Sequence, residues 1–213
     1  MSNGPASARN VRGLVVRQLG NWHDAAIEML PLAAPAPGEV MIAPDACALN
    51  FQDLLLIEEK YQYKPPLPFF VGRDVAGKIV AVGSGVSAFA VGDRVSAQLR
   101  HGAFAELALA PVERCFRVPE SVDASKAAAA GTIFATAAVA LTMRAQVRAG
   151  ERVLVTGAAG GVGIATIQYA KHLGAEVVAL VSSEAKANAV RKVGADQVVH
   201  LDQLPEPSAL RDT

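Results

Sequence analysis

Val153 to Gly163 reads VLVTGAAGGVG, a short apolar run that breaks into glycines and resumes as a helix-forming segment. A continuous apolar run of this length, bounded by turn formers, suits a buried strand. Gly157 permits a sharp turn off it, Gly160 and Gly161 let backbone N–H groups approach a pyrophosphate, and Gly163 lets the following helix pack close to the sheet. The spacing is Gly-x-x-Gly-x-x-Gly, not the standard Gly-x-Gly-x-x-Gly, and a glycine run alone would serve a tight turn equally well. Its setting separates the two readings. Around it the period alternates: strand Arg152 to Thr156, helix Gly161 to Leu173 ending at Gly174, strand Glu176 to Val181, helix Glu184 to Val193 ending at Gly194, strand Gln197 to Leu201. Continuous apolar strands joined by helices predict a right-handed parallel βαβαβ unit, the first half of a Rossmann fold.

Toward the N-terminus the texture differs. Val11 to Arg17, Ile27 to Leu30 and Val40 to Cys47 are β-branched runs punctuated by Gly, Pro and Asn, and Asn50 is placed to cap a short helix reaching Glu59. Asp74 to Val82, Arg94 to Ala97, Phe104 to Leu109 and Cys115 to Val118 continue the strand signals. The segment up to about residue 120 is therefore expected to be an N-terminal β-barrel with little helix. Ser121 to Ala130 and Thr132 to Gln146 read as two Ala-rich helices, the second closed by Gly150. This divides the chain into residues 1–121 and 122–213.

Composition narrows the function. Over 213 residues, 20 Lys and Arg balance 20 Asp and Glu, which removes the basic footprint of a nucleic-acid or anionic-membrane binder and favours a small-molecule partner. The two cysteines, Cys47 and Cys115, form no disulfide framework and no Cys/His cluster with zinc spacing. Cys47 with His101 as a metal pair is outweighed by the simpler reading, a lone buried Cys and a loop His, so no metal is assigned. The leader Met1 to Asn10 has no apolar core, and the apolar stretches are read as interrupted short of the ~18 residues a membrane helix needs, so a cytoplasmic protein is expected.

The end of the second parallel strand discriminates cofactors. An acid there binds the ribose 2′-hydroxyl of NAD, whereas a 2′-phosphate is repelled by an acid and held by Ser, Lys or Arg. Here the strand ends Leu180-Val181-Ser182-Ser183, and Glu184 falls in the first turn of a helix, where the dipole favours it. Ser182 and Lys186 together could hold a 2′-phosphate, which favours NADPH; a solvated helix lysine is the plainer alternative for Lys186.

Several motifs recur in order: Ala48-Leu49-Asn50-Phe51-Gln52-Asp53, Lys60-Tyr61-Gln62, Lys64-Pro65-Pro66-Leu67-Pro68, Gly72-Arg73-Asp74-Val75-Ala76-Gly77, Val91-Gly92-Asp93-Arg94-Val95, Gly102-Ala103-Phe104-Ala105-Glu106 and the loop Gly157 to Gly163. With them the chain resembles the medium-chain dehydrogenase/reductase superfamily, and within it the zinc-independent NADPH:quinone oxidoreductase (zeta-crystallin-like) group. The resemblance implies a GroES-like barrel, a Rossmann domain, and hydride transfer from NADPH to a quinone or α,β-unsaturated carbonyl. Zinc-dependent relatives carry Cys at the position of Asn50 and Gly-His-Glu at Gly72-Arg73-Asp74. The resemblance further implies that Asn50 hydrogen-bonds near the nicotinamide ribose or the acceptor, that Tyr61 lines the acceptor pocket, that Thr136 contacts the nicotinamide, and that Gly160, Gly161 and Val162 cradle the pyrophosphate. As residues alone, Asn50 also reads as a helix cap, Tyr61 as a loop aromatic packed on Pro65, and Thr136 as bonding back within its own helix. Asp53 reads as shaping its loop.

Two departures accompany the resemblance. Leu201 stands where NADPH-using relatives often have Tyr. Full members also continue past the third Rossmann strand through strands four to six, a return segment to the barrel and the usual homodimer edge. The 213 residues are therefore expected to be a truncated or partial sequence, inactive or incomplete by themselves, with a homodimer implied for the full-length protein. The alternative is a non-catalytic remnant or interaction module that keeps partial nucleotide-binding capacity.

Overall fold

The computed structural model describes residues 8–203, so most of the polar leader and the last ten residues lie outside the described part. Two compact units divide between Thr132 and Ile133.

The first unit is antiparallel. Strands β1 (Arg9–Val16), β2 (Ala26–Leu32) and β4 (Phe69–Phe70) form a three-stranded sheet in the order β2-β1-β4. Strands β3 (Glu39–Ala48), β5 (Asp74–Val82), β6 (Arg94–Gln98), β7 (Ala108–Pro111) and β8 (Cys115–Arg117) form a second sheet, ordered β7-β3-β5-β6-β8. The short helix α1 (Phe51–Ile57) follows β3 directly. Its core is aliphatic: Val40, Ile42, Val75, Ile79, Val95 and Leu99 are buried together, as the scarcity of aromatics requires.

The segment expected as one strand from Phe104 to Leu109 serves two sheets. Ala108 to Pro111 pairs with β3, while Phe104 to Glu106 runs beside β1, where Leu14 N–H donates to the Phe104 carbonyl at 2.8 Å and Glu106 N–H to that of Arg12 at 2.9 Å. The chain leaves one sheet for the other within a few residues, which a period-2 pattern does not register.

The two Ala-rich stretches are one helix. Helix α2 (Ala124–Ala138) runs through Gly131 and continues as a π-helical turn over Val139–Arg144. Gly131 does not break it, because its function is space: a Cβ there would lie 2.8 Å from Asp74 Oδ1. Gly150 does not close the helix either. Gln146, with φ +52°, ends it, and Gly150 shapes the later turn into the next strand. The helical segment Ala124–Arg144 is 21 residues long and apolar enough to cross a membrane by length and composition, contrary to the expectation that every apolar stretch is interrupted. Its only formal charges, Lys126 and Arg144, stand near its ends, and Ala127 and Ala128 are buried in a small-residue cluster with Ala76.

In the second unit, β9 (Arg152–Val155), α3 (Gly161–His172), β10 (Glu176–Val181), α4 (Glu184–Lys192) and β11 (Gln197–His200) follow the anticipated alternation. The strands are parallel in the order β11-β10-β9. Ile167, Ala170, Val177, Ala179, Ala187 and Val190 are buried between strands and helices. Asp196 secures the connection into β11 by accepting from Val177 N–H at 2.6 Å and from Lys171 Nζ at 2.8 Å.

A steric prediction follows from the first unit. At Gly77, opposite the β3 irregularity at Pro44, a Cβ would run into the Ala43 carbonyl oxygen and lie 2.8 Å from Pro44 Cα, whereas Gly85 has φ +78° but open space around it. Gly77→Ala should lower unfolding free energy by about 2–3 kcal/mol through overpacking, and Gly85→Ala by only about 1 kcal/mol through backbone strain. Urea denaturation of both variants checks the ordering.

Candidate functional site

In the second unit the glycine loop leaves β9 and enters α3. Gly157 has φ +58°, the left-handed conformation that the turn off the strand requires. A Cβ at Gly163 would sit 2.6 Å from the Ala158 carbonyl oxygen, so this glycine lets the first turn of α3 rest on the loop. Gly160 holds the N-cap position in extended backbone, and its own N–H donates to the Gly157 carbonyl at 3.0 Å. Gly160 therefore shapes the loop but does not supply a donor. The N–H groups of Gly161, Val162 and Gly163 begin the helix without an acceptor among the described residues, and with the positive end of the helix dipole they can bind an anion.

At the end of β10 the structure brings Ser182 and Lys186 together. Lys186 Nζ donates to Ser182 Oγ at 2.8 Å, and Ser183 caps α4 by accepting from Lys186 N–H at 3.4 Å. No carboxylate among the described residues pairs with Lys186. Glu184, the nearest acid, is turned away: it accepts from Arg191 at 2.7 Å and faces His200 at 3.3 Å. The Arg191 hydrogen bond holds its carboxyl below the ordinary range. The pair is thus a hydroxyl and an ammonium open to solvent, a donor set suited to phosphate oxygens. Thr136 lies exposed on α2. Leu201 is half exposed just after β11.

In the first unit the residues near Asn50 form a buried polar cluster. Asn50 is the N-cap of α1, and its backbone N–H donates to Asp53 Oδ2 at 2.7 Å. Its side-chain nitrogen donates to Asp74 Oδ2 at 2.8 Å. Thr132 N–H also donates to Asp74 Oδ2, at 3.2 Å, and Gln98 Nε2 donates to Thr132 Oγ1 at 3.3 Å. Asp53 and Asp74 are 0% and 1% exposed, and each keeps one buried oxygen without a partner. Arg73 lies over the Tyr61 ring at 5.3 Å, and its charge favours loss of the Asp53 proton less than burial promotes retention. Burial pushes the Asp53 carboxyl up to about 6; the Asn50 N–H and Arg73 act against the shift, and Asp74 adds to it. Tyr61 itself is half-buried against the cluster of Val16, Leu56, Ile57, Phe69 and Val71.

Asn50 is therefore a cap residue and a side chain of a polar site at once. Sequence reasoning missed Asp74 as a member of this cluster. The available signal was an acid opening an otherwise apolar strand, Asp74 to Val82, where a charge needs partners. Cys47 is exposed, not buried as the sequence suggests, and donates to the Ala103 carbonyl at 3.0 Å, while His101 packs edge-on to Phe69 and parallel to Tyr63.

Residues 36–120 match the Alcohol dehydrogenase GroES-like domain, and residues 161–209 match the Zinc-binding dehydrogenase family. The quinone oxidoreductase of Rattus norvegicus is 42% identical over 166 residues, covering 78% of this chain and 50% of that protein. Among solved structures, mycobacterial Rv1454c complexed with NADPH superposes with TM-score 0.83 at 34% identity, covering 93% of this chain and 60% of that one. The CurK enoyl reductase superposes with TM-score 0.81 at 30% identity, covering 91% and 60%. The chain spans about half the length of the curated quinone oxidoreductases it matches.

Asp53 provides a pH prediction. Its folded-state pKa of about 6 lies above the ordinary 3.8, so the folded state holds the proton more tightly and stability from this group falls as pH rises from 3.8 through 6. Relative to Asp53→Asn, the wild-type chain should gain up to about 3 kcal/mol as pH is lowered across that window. Thermal melts of both between pH 7.5 and 4 measure it; parallel curves contradict the buried, proton-retaining carboxyl.

Proposed function

Because this chain belongs to the medium-chain dehydrogenase/reductase superfamily as a quinone oxidoreductase-like member, we propose that it carries the NADPH-binding and barrel parts of an oxidoreductase. Its reaction is zinc-independent hydride transfer to a quinone or an α,β-unsaturated carbonyl. Residues 1–121 are the substrate-side domain and 122–213 the partial dinucleotide-binding domain. The observation that carries the reading is the pairing of an open helix N-terminus after β9 with an unneutralised Lys186 beside Ser182 after β10.

The residues fit the cofactor. Gly161, Val162 and Gly163 offer N–H groups to the pyrophosphate, Gly157 and Gly160 set the loop, and Ser182 with Lys186 receives the 2′-phosphate. Glu184, engaged by Arg191 and His200, does not repel that phosphate from the same turn as strongly as a free acid would. Thr136 and Asn50 are assigned to the nicotinamide end, and Tyr61 to the acceptor pocket. When bound, NADPH supplies the hydride, and the protein orients donor and acceptor.

Zinc does not fit the first-unit cluster. Asn50 turns an amide nitrogen, not a lone pair, toward Asp74, and the Arg73 guanidinium occupies the neighbourhood of Asp53 and Tyr61. A zinc site needs thiolate, imidazole or carboxylate donors converging on one point. Acceptors of both classes are consistent with the relatives, since one similar protein is a quinone oxidoreductase and another an enoyl reductase. A quinone or enone as the small-molecule partner, a homodimer for the full-length protein and a cytoplasmic setting complete the proposal.

Lys186→Ala should weaken NADPH binding about 10–100-fold, the size of one charge-assisted hydrogen bond to phosphate, and leave NADH binding unchanged. Fluorescence titration of the chain with both nucleotides, followed by NADPH oxidation assays with a naphthoquinone and an enone, tests this. Equal loss for both nucleotides removes Lys186 from the 2′-phosphate. Absence of NADPH binding overturns the functional reading, and NADPH binding without oxidation by the full-length protein favours a non-catalytic module.

A further inference from the structure

We propose that Asp74 is a positioning residue that fixes which way the Asn50 amide faces, so that Asn50 presents a bound ligand with its carbonyl oxygen and no donor. The proposal rests on the reading of Asn50 as part of the nicotinamide-nucleotide site and decides between the two partners that reading leaves open.

A primary amide has two N–H donors on nitrogen and lone pairs on oxygen, while an ionised carboxylate only accepts. Asn50 Nδ2 lies 2.8 Å from Asp74 Oδ2 and 3.4 Å from the Ala48 carbonyl oxygen. Both neighbours are acceptors, so both N–H groups point inward. Reversing the amide would set its oxygen against the carboxylate and leave the nitrogen's donors unused, which the low dielectric of a buried cluster penalises heavily.

Asp74 cannot yield by turning away. It is 1% exposed, its Oδ2 also accepts from Thr132 N–H at 3.2 Å, and its Oδ1 lies against Gly131, where even a methyl group would come within 2.8 Å. The backbone of Asn50 is fixed as well, through the 2.7 Å hydrogen bond from its N–H to Asp53. Asn50 thus sits between two buried carboxylates that take two of its three N–H groups, the Ala48 carbonyl taking the third.

What remains for a ligand is the open side of Asn50 Oδ1, whose other contact is the capping-box contact with the Asp53 backbone N–H. Quinone and enone oxygens are themselves acceptors and cannot pair with it. The groups that can are donors, and in the proposed reaction these belong to the cofactor: its ribose hydroxyls or its carboxamide nitrogen. Asn50 therefore holds the nucleotide and does not polarise the acceptor carbonyl. Asp74 acts through it, without touching the ligand.

The experiment combines an NMR measurement on the ¹⁵N-labelled chain with nucleotide binding. In the wild type the Asn50 side-chain amide should exchange with water at least tenfold more slowly than exposed asparagine side chains. Asp74→Asn, which keeps an acceptor in place, should retain that protection, and Asp74→Ala should abolish it. NADPH affinity should fall about tenfold in Asp74→Ala, the value of one misdirected hydrogen bond, and return to within about threefold of wild type in Asp74→Asn. Near-UV circular dichroism identifies any variant that fails to fold, and the Asp74→Asn comparison then carries the test. An Asn50 amide that exchanges as fast as exposed ones overturns the proposal whether or not NADPH binds. So does a folded Asp74→Ala with wild-type NADPH affinity when Asn50→Ala has lost it. A chain that shows the protected amide but binds no nucleotide refutes the functional reading and, with it, the assignment of the cofactor as Asn50's partner.

Discussion

A carboxylate withdrawn from water must find donors or give up its charge, and Asp74 is the place where this constraint organises the first unit. It opens β5 between Ala48 of β3 and Gln98 of β6, so its position is set by two sheet ladders. Its donors come from elsewhere: the Asn50 side chain, just before α1, and the Thr132 backbone in α2. One buried oxygen therefore ties a strand, a helix cap and a second helix together. Gly131 follows from the same requirement. Glycine in a helix interior costs about 1 kcal/mol relative to alanine, and here the missing Cβ is what lets α2 approach the carboxylate.

The neighbouring Asp53 meets the constraint differently. It has one strong donor, the Asn50 N–H, and the Arg73 charge nearby, yet its other oxygen is buried without a partner. Burial dominates and the carboxyl retains its proton more readily than an ordinary aspartate. Two equally buried acids, both in reach of Asn50, receive different numbers of donors: Asp74 Oδ2 takes two N–H groups and Asp53 Oδ2 one. In the second unit the arrangement is reversed: Lys186 is exposed, with a hydroxyl beside it and no acid paired to it among the described residues.

The parallel half was legible because its signals are local. β9, β10 and β11 are uninterrupted apolar runs, and Gly174 and Gly194, with φ +81° and +105°, end α3 and α4 where the glycines stand in the sequence. Ser182 and Lys186 are four positions apart, so their meeting could be anticipated from spacing alone. What was not legible depended on contacts far apart in the chain. Gly131 looks like a helix stop until the Asp74 carboxylate, 57 residues earlier, is placed beside it. Phe104 to Leu109 looks like one strand until Gly13 is seen to admit Ala105 against β1. The Gly160 N–H closes the turn onto Gly157, a bond that composition does not reveal.

Asn50 shows why a cap and a ligand-binding residue need not be alternatives. Capping here is a capping box, in which the Asp53 carboxylate takes the Asn50 N–H and the Asn50 side-chain oxygen faces the Asp53 N–H, and this leaves the side-chain nitrogen for another task. The side-chain nitrogen then meets Asp74, and the two carboxylates acting on opposite parts of one residue remove its freedom to rotate. Rigidity of this kind matters more for a binding residue than for a cap, since a helix tolerates several cap geometries whereas a donor–acceptor match to a ligand fails if the amide reverses. The cost of burying two acids around a neutral side chain is therefore more readily understood as the cost of orientation than as a contribution to the stability of a seven-residue helix.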